Sequence, residues 1–320
     1  MGKRATFLGL LALSLGGIGG CHQLESPSDT PTLIWIDADT GNEMDDFYAI
    51  VRTLKDTRHK VLGLSSSHFQ NAFLLSDSLW HREPVPSLNT QALSQKLNLE
   101  LLGELDRESL LHPEGSDRPL GYAWGFYEGA PIPDNPASEA MIRSLDSLED
   151  GEQLAVLCLG PVTNLAVALL KRPDLAPRVQ AYILSMQYEV EEGVWDKNEF
   201  NARNDLNALD LLLAWENLDL RIVPASVAGA LVMDRLRTQS GLASLSEGWA
   251  PLLSQRWDHV EAEGTWIMWD LALAESVLKP DLATWEKRSA PPENGGRPLW
   301  ICVEIDASSM EEDFWSRLTP

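Results

Sequence analysis

Four aspartates lie within ten residues, in the segment Asp37-Ala38-Asp39-Thr40-Gly41-Asn42-Glu43-Met44-Asp45-Asp46. Asp37 and Asp39 are two positions apart, so on extended backbone their side chains point to the same side. Asp45 and Asp46 fall in the first turn of a predicted helix, where the dipole favours anions. Carboxylates this close raise one another's pKa unless a cation compensates, and Ca²⁺ prefers such oxygen ligands. An acidic helix-capping loop without metal is the alternative. Because two pairs of aspartates follow a single strand, we favour a metal site over a capping loop.

Short apolar runs alternate with helical patterns along the chain, which predicts an α/β fold. We expect a single domain with a mostly parallel central sheet flanked by helices. The predicted strands are 32–37, 61–66, 154–159, 179–184, 220–223 and 299–305. The predicted helices are 45–54, 91–105, 137–148, 163–171, 207–215 and 266–277, and residues 82–136 form a largely irregular insertion. Ligands bind beyond the carboxyl ends of such strands, so the loops after Ile36, Leu159 and Leu184 are expected to converge.

The composition narrows the classes of partner. The chain has 320 residues, 25 basic and 48 acidic, and a formal net charge of -23. Such a surface repels phosphates, which argues against a nucleic-acid partner. Cys158 and Cys302 lie in apolar runs and lack disulfide or metal spacing, so we expect buried free thiols.

The first residues are typical of a targeting segment. Lys3 and Arg4 precede an apolar stretch, which predicts a signal peptide over residues 1–20. The run Ile18-Gly19-Gly20-Cys21 resembles the lipobox of bacterial lipoproteins, in which the cysteine is lipidated. We therefore expect a tether at residues 21–31, a domain at 32–320, and a lipid-anchored location in the bacterial cell envelope, on the periplasmic or outer face. An ordinary signal peptide with an incidental cysteine is the alternative.

The acidic loop resembles the hallmark DxDxGxDD of the inosine–uridine-preferring nucleoside hydrolase family. Here it has two extra residues between Gly41 and the aspartate pair. The resemblance implies a nucleoside-hydrolase-like domain with a Rossmann-like core, a Ca²⁺ cofactor, and hydrolysis of the N-glycosidic bond of a ribonucleoside or related N-riboside. It implies that Asp39 contacts calcium and deprotonates the attacking water. By the same match Asp45 would bind a ribose hydroxyl and Asp46 would bind calcium through both oxygens.

Three later segments resemble the same family in the same order. Leu159 to Ala166 is similar to its xGPLTNIA segment, which implies that the Leu159 main-chain carbonyl binds calcium. Glu199-Phe200-Asn201 matches its EFN pattern, which implies that Glu199 and Asn201 bind ribose hydroxyls. Asp270 lies in a segment similar to MHDxxAxA, which implies a distant calcium ligand. From the residues alone, Asp205 is expected to cap the helix that follows it.

The positions that in the family contact the leaving base differ in this sequence. Trp269 stands where relatives often carry the histidine that protonates the leaving base, and it is expected to stack on a base or sugar. His68 and His259 are alternative acids, although a structural role suits each of them as well. Asn71 or Gln70 stands in for an asparagine expected after the second strand, and Asn71 is taken as the substrate contact.

Two further family positions also carry different residues in this sequence. Gly193 occupies the position of a family asparagine, and Ser185-Met186 replace a glycine pair. Trp195 and Trp266 are candidates, with Trp269, for an aromatic leaving-group pocket.

The sequence thus predicts a calcium-dependent N-glycosyl hydrolase. One alternative is a calcium-dependent ribose- or nucleoside-binding lipoprotein without turnover, which Trp269 and Gly193 favour. A haloacid-dehalogenase-like phosphatase is a second, since its site also begins with DxD after a strand, but it explains neither the EFN segment nor Asp270. The expected partner is a small nucleoside or riboside, with the membrane reached only through Cys21. Relatives are often dimers or tetramers, which makes a homo-oligomer one expectation.

Overall fold

A computed structural model describes residues 32–71, 74, 88–122, 125–127, 129–130, 132–260 and 262–318. The predicted signal segment 1–20, Cys21 and the tether 21–31 lie outside these residues. Within them, no helix is both long and apolar enough to cross a membrane.

A seven-stranded sheet forms the centre of the described domain. The strands, including two short pairs outside this sheet, are β1 Leu33–Ala38, β2 Lys60–Ser66, β3 Leu154–Cys158, β4 Val179–Leu184, β5 Gln187–Glu189, β6 Val194–Asp196, β7 Asp219–Val223, β8 Val232–Asp234, β9 Thr265–Ile267, β10 Ala283–Ser289 and β11 Pro298–Ile305. The order in the main sheet is β10-β11-β7-β4-β3-β1-β2. All its neighbours are parallel except the edge strand β10, which runs antiparallel to β11. The predicted α/β fold with a mostly parallel sheet is confirmed.

Helices cover both faces of this sheet. They are α1 Asp45–Lys55, α2 Thr90–Glu104, α3 Pro136–Asp146, α4 Thr163–Lys171, α5 Phe200–Asn204, α6 Leu206–Ala214, α7 Ala225–Ala228, α8 Arg235–Ala243, α9 Trp249–His259, α10 Trp269–Leu278 and α11 Ala307–Leu318. Side chains alternate across β1: Ile34 and Ile36 pack with α1, α9, α10 and α11, whereas Trp35 packs with α3, α4 and α6. Burial on both faces explains why the strands read as continuous apolar runs.

One predicted helix starts later than its sequence pattern suggested. The helix expected over 266–277 begins at Trp269, because Thr265–Ile267 pairs with β8 as a short antiparallel strand. The apolar run Trp266-Ile267-Met268 fits either element, and only the partner strand decides between them. Both thiols, Cys158 and Cys302, are buried and free, as expected.

A buried arginine ties three helices together behind the sheet. Arg52 of α1 is fully buried, and its Nε donates to Glu275 Oε1 on α10 at 2.7 Å. Its two terminal nitrogens donate to Asp56 at 3.1 Å and to Asp313 of α11 at 2.6 Å. Removing one partner from such a network leaves buried charge without compensation. The network fixes the angle between α1 and α10, the two helices whose first turns carry predicted site residues.

We predict that Arg52→Met lowers the free energy of unfolding by about 3–5 kcal/mol, because the Glu275 carboxylate would remain buried without its cation, whereas Asp56 keeps Arg58 as a partner. The matched control is Lys55→Met on the same helix, since the Lys55–Glu247 pair is partly exposed. Lys55→Met should lower the free energy of unfolding by at most about 1 kcal/mol. Urea unfolding of both variants measures the difference, and equal losses would contradict the assignment.

Candidate functional site

A cleft opens where β1, β3, β4 and β7 end and several helices begin. Its volume is about 600 Å³, open solvent included. In open α/β sheets this edge is where ligands bind. The lining residues are Asp39, Asn42, Glu43, Asp45, Asp46, Leu159, Leu184, Gln187, Glu199, Phe200, Asn201, Ala225, Trp269 and Asp270. The structure therefore brings together every predicted site residue of the domain except Asn71.

The acidic loop is shaped from outside by α2, the helix of the insertion. Gly41 has a φ of 120°, and a Cβ at that position would lie 2.9 Å from a methyl group of Leu97. Only glycine adopts this backbone readily, and only glycine leaves room for the leucine. The neighbouring Thr40 hydroxyl donates to Asn98 Oδ1 at 2.6 Å. The loop thus bends against α2 and carries Asn42 and Glu43 to the cleft wall.

Asp39 lies directly against the backbone of the β3–α4 turn. A Cβ on Gly160 would come within 2.6 Å of the Asp39 carboxyl carbon, so no side chain fits there. In the sequence, Gly160-Pro161 indicated only a turn. The structure adds that the glycine is needed for the close approach of the carboxylate.

Asp37 supports the loop from below and does not line the cleft. Its Oδ1 accepts from the Ser65 hydroxyl at 2.6 Å and from Asn164 Nδ2 at 2.9 Å. Burial raises its pKa to about 6, although both hydrogen bonds oppose the rise. Asp37 therefore joins the ends of β1 and β2 to the start of α4.

The first turns of α1 and α10 meet across the cleft. Asp45 Oδ2 accepts from the backbone N–H of Asp270 at 2.9 Å. One oxygen from each of Asp45, Asp46 and Asp270 lies within 4.8 Å of the others. Burial is the main cause that raises all three pKa values, that of Asp45 to about 6 and those of Asp46 and Asp270 well above the usual range. The charges of neighbouring carboxylates add to the rise for Asp46 and Asp270.

These carboxylates fit a hard cation. Within the described part of the chain, Asp39 Oδ2, Asp46 Oδ1 and Asp270 Oδ1 are buried and accept no hydrogen bond. Buried charges without partners are costly, and a metal ion with oxygen ligands removes that cost. The helix starts add partial positive charge at the same place. The tightest trio includes Asp45, for which the family resemblance implied a sugar contact, and Asp39 lies beside the trio rather than within it.

Asn201 connects the carbonyl of Leu159 to the cleft. Its Nδ2 donates to Leu159 O at 2.7 Å and to Leu184 O at 3.1 Å, which uses both of its protons. Its Oδ1 accepts no hydrogen bond from the residues described. Asn201 can thus present to a ligand only an acceptor.

Glu199 caps α5 as well as lining the cleft. Its carboxylate accepts from the backbone N–H groups of Asn201, Ala202 and Met186 at 2.9–3.1 Å. Burial raises its pKa, although these donors lower it. Asp205 caps α6 through the N–H of Ala208, as expected.

Several residues missed from the sequence line the cleft: Asn42, Glu43, Gln187, Phe200 and Ala225. The two extra loop residues were a signal for Asn42 and Glu43, since an insertion beside a site enters its wall. Burial and the charges of Asp45, Asp46 and Glu199 raise the pKa of Glu43. Gln187 begins β5 and Ala225 begins α7, and neither had such a signal because these short elements were not predicted from the sequence.

Other candidates lie away from the cleft. Asn71 Nδ2 donates to Arg203 O at 2.7 Å, and its contact with substrate stays a prediction. His68 is buried, with Nε2 2.9 Å from the Thr163 hydroxyl, and burial lowers its pKa to about 3. His259 is exposed at the end of α9. Trp195 packs on Tyr188 and Trp266 against the core, so among the described residues Trp269 is the tryptophan that lines the cleft.

The comparisons with known proteins agree with this geometry. The sequence model of the family described as "Inosine-uridine preferring nucleoside hydrolase" matches residues 34–308, well over half of the chain. No curated protein matches the chain.

Solved structures share the fold at low sequence identity. A plant nucleoside hydrolase, PpNRh1, has a TM-score of 0.68 at 18% identity, over 90% of this chain and 99% of that one. An inosine-guanosine nucleoside hydrolase has a TM-score of 0.69 at 16% identity, over 90% and 98%. A purine-preferring ribonucleoside hydrolase from Gardnerella vaginalis has a TM-score of 0.63 at 17% identity, over 90% and 98%.

We predict that Asp46→Asn stabilises the metal-free protein by roughly 1–3 kcal/mol at neutral pH, because it removes one crowded buried charge. The folded-state pKa of Asp46 is raised, so wild-type stability falls as the pH rises above 3.8, the ordinary value. The gain should therefore vanish near pH 4. Added calcium should stabilise the wild type and not the variant.

Chemical unfolding with chelator and with calcium, at both pH values, measures these effects. The control is Asp234→Asn at the exposed cap of α8, where either residue caps equally well. Destabilisation of the metal-free Asp46→Asn protein at neutral pH would refute the account of crowded charge.

Proposed function

The chain belongs to the inosine-uridine preferring nucleoside hydrolase family and is an N-glycosyl hydrolase, and on this premise we propose a calcium-dependent reaction at the cleft. The substrate would be a ribonucleoside or related N-riboside, and the products a base and ribose. The observation that carries the proposal is the set of buried carboxylate oxygens without partners on Asp39, Asp46 and Asp270. They line the same cleft as Glu199, Asn201 and Trp269.

Asp39, Asp46, Asp270 and the carbonyl of Leu159 would hold the ion. Calcium would supply positive charge that attracts ribose hydroxyls and acidifies a water molecule. The short distances among Asp45, Asp46 and Asp270 support a role for Asp45 as well, either as a ligand of the ion or as a contact of a ribose hydroxyl. Its Oδ2 already accepts from the Asp270 backbone, so one of its oxygens is oriented before any ligand enters.

Asp39 would act as the base. The Asp39 carboxyl is fixed against Gly160, so that one of its oxygens would face the ion and the other would accept the proton of the water. Water oxygen would bond to the anomeric carbon, the carbon–nitrogen bond would break with its electron pair on the base, and the water proton would pass to Asp39. The surrounding carboxylates would stabilise the positive charge that develops on the sugar.

Asn201 and Glu199 would orient the sugar. The Oδ1 of Asn201 can accept from a hydroxyl, because both Nδ2 protons are engaged with Leu159 and Leu184. Glu199 is held by three backbone N–H groups and so offers its remaining lone pairs in a fixed direction. Trp269, at the start of α10, would contact the leaving group.

We predict release of ribose from inosine or uridine that is lost with chelator and restored by calcium. Asp39→Asn should lower kcat by about 10²–10⁴-fold, the range for loss of a general base, while the fold is kept. A reducing-sugar assay measures the product, with Asp234→Asn as the control. Calcium and ribose binding without release from any riboside would instead identify a binding protein.

The N-terminal segment supports a proposal about location. The run ending at Cys21 resembles a lipobox, and residues 22–31 would separate the anchor from the domain. The protein would then be held at the bacterial cell envelope by lipid on that cysteine.

Cys21→Ser should therefore abolish incorporation of labelled palmitate in a bacterial host and move the protein from the membrane to the aqueous fraction. Cys158→Ser, a buried free thiol, is the control and should keep the label. Labelling that persists in the Cys21 variant would exclude the anchor.

A further inference from the structure

The described lining of the cleft is rich in carboxylates and has no positively charged side chain. Six of its lining residues are acidic, and none is Lys, Arg, His, Ser, Thr, Tyr or Cys within the described part of the chain. The remaining side-chain N–H donors of the lining are the amides of Asn42 and Gln187 and the indole of Trp269, and none of these groups is an acid. Such a lining attracts positive charge, and a carboxyl is the only kind of side chain in it that could protonate a departing base.

The charge requirement at the leaving nitrogen depends on the substrate. When the glycosidic bond of a neutral nucleoside breaks, the electron pair leaves the base as an anion unless a proton arrives. When the ring nitrogen is quaternary, as in a pyridinium riboside, the same electron pair neutralises its positive charge. The base then departs neutral, and no proton donor is needed.

Glu43 is the carboxylate that the two-residue insertion adds to the cleft. Its side chain makes no hydrogen bond with the described residues, and its backbone carbonyl accepts from Arg256 Nη2 at 2.9 Å. Arg256 also lies over the ring of Phe47, 4.9 Å from the ring centre. The guanidinium therefore holds the loop by its backbone and leaves the Glu43 carboxylate directed to the cleft.

Trp269 supplies an aromatic surface in the same cleft. It is half-buried at the first position of α10, next to Asp270. An aromatic ring attracts a cation through its negative face, and tryptophan does so most strongly. Glu43 and Trp269 together thus offer a cationic ring one charged and one aromatic contact.

We propose that the favoured substrates are N-ribosides whose leaving group is a positively charged heteroaromatic ring, of the pyridinium class. This rests on the proposed hydrolase function and specifies its substrate. Water oxygen bonds to the anomeric carbon and its proton passes to Asp39. The carbon–nitrogen bond breaks and its electron pair returns to the ring, which leaves as a neutral pyridine.

The test compares a charged ring with its neutral reduced form and with an ordinary neutral nucleoside. Nicotinamide riboside is cationic, whereas its reduced 1,4-dihydro form is neutral, and inosine is a neutral nucleoside. In the full chain with calcium, kcat/KM for nicotinamide riboside should exceed that for either neutral riboside by about tenfold or more, the size of one desolvated cation–π contact. Equal or greater turnover of the neutral ribosides would overturn the proposal.

Two variants locate the effect. Glu43→Gln and Trp269→Leu should each lower the preference for the cationic ring about three- to tenfold. Glu192→Gln is the matched control, since Glu192 is exposed in the β5–β6 turn and outside the cleft lining. An unchanged preference in both cleft variants would overturn the assignment of these residues.

A binding measurement on the wild type is independent of folding in the variants. Calorimetry should show tighter binding of 1-methylnicotinamide, a cation, than of neutral nicotinamide. Equal binding would count against the proposal. Release of ribose from inosine but not from nicotinamide riboside overturns the substrate class and leaves the hydrolase function standing. No release from any riboside, with calcium bound, overturns both.

Discussion

The crowding of buried carboxylates at one edge of the sheet is the constraint on which the site depends. Asp39, Asp45, Asp46 and Asp270 are each at most 4% exposed, and burial raises all their pKa values. Such a group survives folding only if the rest of the molecule provides rigid support. The starts of α1 and α10 and the sheet end provide it. Without a bound cation, the burial of these unpaired charges would lower the stability of the folded protein.

Support for the carboxylates comes from layers that lie behind them. Asp37, Ser65 and Asn164 form a buried hydrogen-bonded group under the loop. Arg52 clamps α1 to α10 and α11 on the far side, so the first turns of α1 and α10 cannot move apart freely. The buried chain of His68, Thr163 and Asp205 fixes the start of α4 to α6. His68, which the sequence offered as an alternative acid, is thus part of this buried hydrogen-bonded chain.

Much of the fold was predictable because its strands are buried on both faces and therefore form uninterrupted apolar runs. The acidic loop was predictable as a site because like charges at a strand end have few structural uses. The edge strand β10, the short pair β8–β9 and the late start of α10 were not, since short apolar segments fit strand or helix until a partner is present. The insertion marked the loop of Glu43 but not the direction of its side chain, and nothing in the local sequence marked Gln187 of β5 as facing a cleft.

The sequence by itself determined which chemical groups are present: the carboxylates of the acidic loop and Asp270, the pair Glu199 and Asn201, and Trp269. Their order along strands and loops placed them at one sheet edge. Only the tertiary structure decided which groups meet. Asp45 contacts Asp270 across a separation of 225 residues, and that contact depends on the angle between two helices. It also separated His68 from the cleft and brought Glu43 into it, because the direction of a side chain follows from packing around its loop rather than from its position in the chain.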